Sequence, residues 1–133
     1  LVFLIFISLT TCLIAQDLVF NHGGAINNGV YETTPLKEYN KVVWKTELIG
    51  NGNEECIIND EIIYTTSKRY DSERKSHISF IYAIKAKDGE IMWLDSIDGR
   101  VSTPNMKNDI LYYGVDEQDG RQYAIDKKSG EIV

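Results

Sequence analysis

One pattern occurs twice in this chain, and that internal repeat restricts the possible folds more than any other feature. Residues 82–92 (YAIKAKDGEIM) return as residues 123–133 (YAIDKKSGEIV), at an offset of 41 residues. Upstream, residues 59–64 match residues 108–113 at an offset of 49 residues, and Trp44 and Trp93 have that same separation. Because a fixed period is the sequence signature of repeat architectures, we expect one structural unit per copy.

The two offsets differ by eight residues, which a longer loop in the first copy explains. The candidate loop is 68–77, whereas the second copy turns within 117–120. A run of mixed charge such as 68–77 is usually a solvated hairpin. The alternative is a partner-binding loop, since binding residues are concentrated on loops. Its four candidate contact residues are Lys68, Arg69, Arg74 and Lys75.

Each copy is predicted to form four short strands, because its apolar residues alternate over runs rich in Ile, Val, Tyr and Thr. The strands of the first copy are expected near 54–58, 61–67, 78–85 and 90–95, and those of the second near 102–107, 110–116, 121–126 and from 131 onward. Asn, Asp and Gly residues separate them, as tight hairpin turns require. The sequence therefore predicts an all-β fold of antiparallel, up-and-down sheets.

A four-stranded sheet that recurs with this period is typical of a β-propeller, in which blades stack face to face. We expect residues 41–133 to be propeller repeats, with a first blade at 54–95 and a second, truncated blade at 102–133. Residues 41–48 align with the last strand of the first copy. They are predicted to form an outer strand that closes the ring with a distant part of a longer protein, and to be poorly anchored without it.

Six residues of the two copies follow the spacing A-x-D-x-x-x-G-x-x-x-W: Ala83, Gly89, Trp93, Ala124, Asp126 and Gly130. This spacing resembles the tryptophan-docking motif of the PQQ-like, quinoprotein-type propeller repeats, and the likeness extends over about residues 29–133. The resemblance implies that all six are structural residues that join neighbouring blades. Lys85 replaces the Asp of the motif in the first copy, which puts the hydrogen bond of that Asp to neighbouring backbone in doubt.

The resemblance leaves two functions open. The first is an exported, non-catalytic scaffold that binds proteins or a ligand in the cell envelope. The alternative is an oxidoreductase that uses pyrroloquinoline quinone (PQQ) and calcium, with its active-site residues outside these 133 residues. The cofactor stays unknown at this point, because the name of a repeat does not establish a cofactor.

The residues that could carry chemistry form no recognisable site. The acidic residues of 87–90 and 116–119 lie in predicted turns, where Asp is expected for turn geometry alone. His22 and His77 lack the spacing of a zinc site. We therefore predict no catalytic and no metal-ligating residue in this sequence.

The first fifteen residues are uncharged and largely apolar, but too few to cross a bilayer, which takes roughly 20 residues. We expect a signal peptide at 1–16, an irregular segment at 17–40, and a periplasmic or extracellular protein. A lipoprotein anchored through Cys12 is the alternative, and membrane attachment is expected only in that case. The sequence begins with Leu1 and stops one residue before a third Trp is due, so we expect part of a longer protein.

The net charge of −6 and the absence of a basic patch interleaved with aromatic residues favour no nucleic-acid partner. The expected partners are envelope proteins or a small ligand.

Overall fold

The structure is a computed structural model that describes residues 42–51, 56–116 and 120–133. The predicted signal peptide at 1–16, Cys12, the segment 17–40 and the hairpin tip at 117–119 lie outside the described residues. Within those ranges the chain forms β-strands and no helix, in two antiparallel four-stranded sheets. No helix of the described part is long and apolar enough to cross a membrane. The predicted all-β class is confirmed.

The first sheet contains four strands in sequence order. They are β1 (Cys56–Asn59), β2 (Ile62–Asp71), β3 (Ser76–Lys85) and β4 (Ile91–Asp98), and each pairs with the next. Asp60 and Glu61 join β1 to β2 with φ angles of 50° and 61°, the left-handed conformation that a two-residue hairpin turn of the tightest kind requires. Strands therefore form near the four positions that the sequence predicts.

The prediction of a long loop at 68–77 is wrong for most of that range. The β2–β3 ladder continues as far as the pair Asp71–Ser76, so only 72–75 form the turn. Tyr70 and His77 are opposite each other on these strands, and their ring centroids lie 5.1 Å apart in an edge-on contact. Aromatic pairs across strands stabilise a ladder. The Tyr70–His77 pair therefore extends the hairpin, although charged residues interrupt the alternation of apolar residues in these strands. Lys68 and Arg69 thus belong to β2.

The second sheet is built around a central strand, β7 (Ile110–Asp116). On one edge lie β5 (Arg100–Val101) and β6 (Asn105–Lys107), and on the other lies β8 (Gln122–Asp126). The strand predicted at 102–107 is interrupted because Pro104, which has no N–H to donate to a ladder, is buried within it. From 131 onward, where a strand is predicted, the structure has only an isolated bridge between Ile132 and Ile125 and no strand.

The strand register corrects the alignment of the two copies. The turn of Asp60 and Glu61 corresponds to a turn of Asn108 and Asp109, whose φ angles are 51° and 65°. Tyr64 pairs with Ala83 and Tyr112 pairs with Ala124, so the early strands correspond at an offset of 48 residues instead of 49. The left-handed pair of turn residues sets this register, and the repeated asparagines used for the sequence alignment do not occupy equivalent positions.

The two sheets pack face to face around the main core. Ten buried side chains form it, five from each sheet: Ile57, Tyr64, Ile81, Ala83, Ile97, Met106, Leu111, Tyr113, Val115 and Ile125. The opposite face of the first sheet carries a second cluster of Phe80, Tyr82 and Ile84, which Trp44 and Leu48 cover. In the described residues the first sheet is thus covered on both faces, whereas Tyr112 on the outer face of the second sheet is 45% exposed.

Residues 42–48 form no strand, unlike the outer strand predicted at 41–48. The expectation of poor anchoring is also corrected, because the segment is held through side chains. The Thr46 hydroxyl donates to the Gly89 carbonyl oxygen over 2.6 Å, and the Ile49 N–H donates to the Tyr82 hydroxyl over 2.8 Å. Asn51 then forms an isolated bridge with Lys68.

Candidate functional site

The contact between the two sheets is organised by Trp93 of β4. Its indole Nε1 donates a hydrogen bond to the carbonyl oxygen of Lys127 over 2.9 Å. Its ring lies over Gly130, where a Cβ atom would come within 2.8 Å of the indole. Gly130 also has a φ of +78°, so both the space and the backbone require glycine. We call this arrangement the Trp93 contact.

A second contact of the same form lies on the other face of the first sheet. Trp44 Nε1 donates to the carbonyl oxygen of Ala86 over 2.9 Å. A Cβ atom at Gly89 would lie 2.5 Å from the Trp44 ring, and Gly89 also has a φ of +78°. Ala86 corresponds to Lys127 and Gly89 to Gly130 at the repeat offset of 41 residues. We call this arrangement the Trp44 contact.

The turns that receive the two indoles share their backbone hydrogen bonds. Lys85 N–H donates to the Glu90 carbonyl oxygen over 2.9 Å, and Asp126 N–H donates to that of Glu131 over the same distance. In both copies the glycine N–H donates back to the residue at the Asp position of the motif, over 2.9 Å. Each tryptophan therefore contacts the unit that follows its own in the sequence, a relation that the motif spacing within one copy did not reveal.

The side chain at the Asp position differs between the copies. Asp126 Oδ1 accepts from the N–H groups of Lys128 and Ser129 over 2.8 and 2.9 Å. These two hydrogen bonds hold the pKa of the Asp126 carboxyl below its usual value, and the bond from Ser129 has the larger effect. Lys85 at the equivalent position instead forms an ion pair with Glu90. The turn keeps its shape without the Asp, with the backbone bonds, the glycine and a hydrogen bond from the Glu90 N–H to Asp88 Oδ1 over 3.1 Å.

The two alanines of the motif have different surroundings. Ala83 is fully buried in the core between the sheets, where its small side chain permits close approach. Ala124 is half-buried and is paired with the exposed Tyr112. The same position in the repeat therefore faces a second sheet in one copy only, within the residues that the structure describes.

A buried lysine joins the sheets beside the Trp93 contact. Lys127 Nζ donates to Asn59 Oδ1 over 2.7 Å and lies 2.6 Å from carboxylate oxygens of both Asp60 and Asp109. Burial lowers the Lys127 pKa, but the bonds to Asp109 and Asp60 outweigh it, so that the pKa is raised and the group stays charged. The Lys127 bond in turn lowers the pKa of Asp109. No sequence pattern predicts this cluster, because its members lie far apart in the chain.

Two tyrosine hydroxyls are buried in the core between the sheets. Those of Tyr64 and Tyr113 have no hydrogen-bond partner among the described residues. Burial raises the pKa of Tyr64 to about 12 and also raises the pKa of Tyr113. Tyr64 packs against Trp93, with ring centroids 6.1 Å apart. Both tyrosines are therefore neutral packing residues.

The four residues of the predicted partner-binding loop do not converge on one point. Arg69 lies over the Phe80 ring at 5.7 Å, and Arg74 pairs with Asp98 over 3.0 Å. Lys68 lies in the middle of β2, and Lys75 ends the turn with a φ of 52°. Lys68 and Lys75 line two neighbouring cavities at the end of the sheets, and Arg69 and Arg74 line neither.

Ionisable groups within the described ranges do not assemble a metal site, since no three His, Cys, Asp or Glu side chains there are close enough to share an ion. Cys56 is half-buried, and burial raises the pKa of its thiol. A raised pKa disfavours the thiolate, the nucleophilic form.

Comparison with known proteins gave no assignment. No protein-family model matches this chain. A search of curated proteins likewise gave no match. The geometry of the two indole contacts is therefore the basis of the functional argument.

Proposed function

We propose that this chain is part of an exported β-propeller of the PQQ-like repeat type that acts as a non-catalytic scaffold in the cell envelope, binding a protein or a ligand. The single observation that carries the proposal is the repeated indole contact. Trp44 and Trp93 each meet a glycine turn of the following unit with the same hydrogen bond and the same packing. Two equivalent contacts in sequence order are what a stack of blades requires.

The chemistry of the described residues supports a binding role. The buried ionisable group between the sheets, Lys127, is neutralised by carboxylates of both units and serves to join them. The buried tyrosine hydroxyls carry raised pKa values and supply no proton near neutral pH. Lys127 therefore joins the two sheets, and the rims of the sheets are left as the surfaces on which partners would bind.

The scaffold function is tested by affinity capture with the full chain from an envelope extract, followed by chemical cross-linking. The matched control is the Gly130→Val variant, which keeps the charge and is expected to lose the packing of the two sheets. We expect saturable capture of a small set of proteins by the folded chain alone. Equal capture by both chains would contradict a specific scaffold.

Catalysis is tested on the full-length protein, because the oxidoreductase alternative has its active-site residues outside these 133 residues. Calcium-dependent reduction of a redox dye on addition of pyrroloquinoline quinone would overturn the non-catalytic assignment. Export is tested separately, by fusing the full-length protein's N-terminal part, through residue 41, to a reporter enzyme that is active only outside the cytoplasm. An inactive fusion that is expressed in full would contradict export.

A further inference from the structure

Two cavities adjoin at the end of the sheets where β2 and β7 finish. Their volumes are about 430 and about 350 Å³. Both are lined by Arg100 and Asp116, so they form one continuous depression, which we call the Arg100 groove. It extends from the β2–β3 hairpin of the first sheet to the base of the β7–β8 hairpin of the second.

The Arg100 groove is basic on an acidic chain. Among the residues that the structure describes, its charged lining residues are four cations and one carboxylate: Lys68, Lys75, Arg100, Arg121 and Asp116. Lys68 and Arg121 also have partners within the protein, so Arg100 and Lys75 are the cations considered for a ligand. The chain as a whole has a net charge of −6. Because clefts lined by one sign of charge concentrate ligands of the opposite sign, an anionic ligand would be drawn to this groove.

Arg100 is the central residue of the groove. Its Nε donates to His77 Nδ1 over 3.3 Å, and its Nη2 lies 3.4 Å from His77 Nε2. Among the described residues no carboxylate forms an ion pair with it, and its side chain is exposed. A guanidinium presents five donors in a planar fork that matches a carboxylate with two parallel hydrogen bonds. Arg100 is therefore placed to hold a carboxylate from outside the chain.

The form of the groove favours an extended ligand over a small one. Small ligands are typically held in pockets that cover roughly 70–90% of their surface, whereas Arg100, Asp116 and Arg121 are all exposed. An extended chain with several carboxylates could contact Arg100 and Lys75 at once. Tyr70, which is 56% exposed, lines the same groove and offers an aromatic ring, a type of residue enriched in protein interfaces. A nucleic acid would require a larger basic surface.

We propose that the Arg100 groove binds an acidic segment of a partner protein, with Arg100 as its anchor. This inference rests on the proposed scaffold function and specifies the chemistry of the partner.

The test is a fluorescence-polarisation titration of the full chain with a labelled oligoglutamate peptide at physiological salt. Saturable binding is expected, and Arg100→Glu is expected to weaken it about tenfold, because a lost exposed ion pair and a new repulsion act together. The matched control is Arg74→Glu, a reversal at the same end of the sheets but outside the groove, which is expected to change the affinity less than about twofold. If circular dichroism shows that Arg100→Glu is unfolded, Arg100→Gln replaces it, with an expected loss of about fivefold.

Three results would overturn the inference. They are non-saturable binding, an equal loss in the Arg74 and Arg100 variants, and tighter binding of an anionic polysaccharide or an oligonucleotide of the same charge. Failure of the groove is distinguishable from failure of the scaffold. If the chain captures envelope proteins but does not bind oligoglutamate, only the proposed ligand of the Arg100 groove is contradicted. If the chain captures no partner at all, the proposed scaffold function is contradicted.

Discussion

The Trp44 and Trp93 contacts share one geometry but differ in what surrounds them. Trp44 belongs to a short segment that lies on the first sheet through side-chain hydrogen bonds and one bridge. Trp93 belongs to a complete sheet, and its contact is reinforced by Lys127 and by the ring of Tyr64. The feature common to both contacts is an indole packed on a glycine turn. Lys127 and the ring of Tyr64 occur only at the interface of the two sheets.

Substitution of the two tryptophans is expected to have the largest effect on the free energy of unfolding. Trp93→Ala should lower the free energy of unfolding by about 3 kcal/mol, because it opens a cavity in the core between the sheets. Trp44→Ala should cost about half as much, since the segment 42–51 can separate locally without unfolding the sheets. Urea denaturation followed by far-ultraviolet circular dichroism measures both. Equal losses would show that the two contacts do not differ as described.

The glycine turns are expected to show the next largest effect. Gly130→Ala should cost about 2 kcal/mol, because the new Cβ meets the indole and the backbone is left-handed. Gly120→Ala is the matched control, since Gly120 has a φ of +57° and open space around it. Only the backbone cost of about 1 kcal/mol is expected there. In a Trp93→Ala background the cost of Gly130→Ala should fall to that of the control; an unchanged cost would remove the indole from the explanation.

The Lys127 cluster is expected to make the stability of the sheet interface, unlike that of the Trp44 contact, depend on pH. Lys127→Met should cost only about 1 kcal/mol near neutral pH, because the side chains of Asp60 and Asp109 are 64% and 59% exposed and can be solvated. The Asp109 pKa is lower in the folded chain than in the unfolded one. Its contribution is therefore present above the unfolded value of about 3.9 and is lost as the pH falls through the folded value.

Urea titrations of wild type and Lys127→Met across the acidic range measure this effect. The stability difference between them is expected to be constant above about pH 5 and to shrink below about pH 4. A difference that persists in strong acid would show that the lysine acts through packing and not through its charge.

The smallest effect is expected at the buried hydroxyls. Tyr113→Phe should leave stability unchanged or raise it by up to about 1 kcal/mol, because the hydroxyl has no partner among the described residues. Tyr82→Phe is the contrasting variant, since the Tyr82 hydroxyl accepts from the Ile49 N–H and fixes the segment beside the Trp44 contact. It should lose about 1 kcal/mol in the same denaturation assay. Destabilisation by Tyr113→Phe would indicate an undetected hydrogen-bond partner.

Sequence periodicity was sufficient for most strands of the two sheets and for the glycine turns, because these depend on local pattern and backbone conformation. It failed at the β2–β3 hairpin, where Tyr70 and His77 pair across charged strands and the alternation of apolar residues is lost. It also gave the wrong offset for the early strands, since a left-handed turn of Asp and Glu resembles no standard turn signal. Lys127 and Arg100 acquire their surroundings only through folding, so a linear pattern could not identify either one.

The central claim, that successive units are joined by equivalent indole contacts, is tested most directly by nuclear magnetic resonance. The chain contains two tryptophans, so their indole signals can be assigned by single substitutions. We predict nuclear Overhauser effects from the Trp44 ring to the Hα protons of Gly89 and from the Trp93 ring to those of Gly130, with slow exchange of both indole N–H protons. A Trp93 ring that contacts Gly89 of its own unit, or that shows no contact with Gly130, would contradict the account.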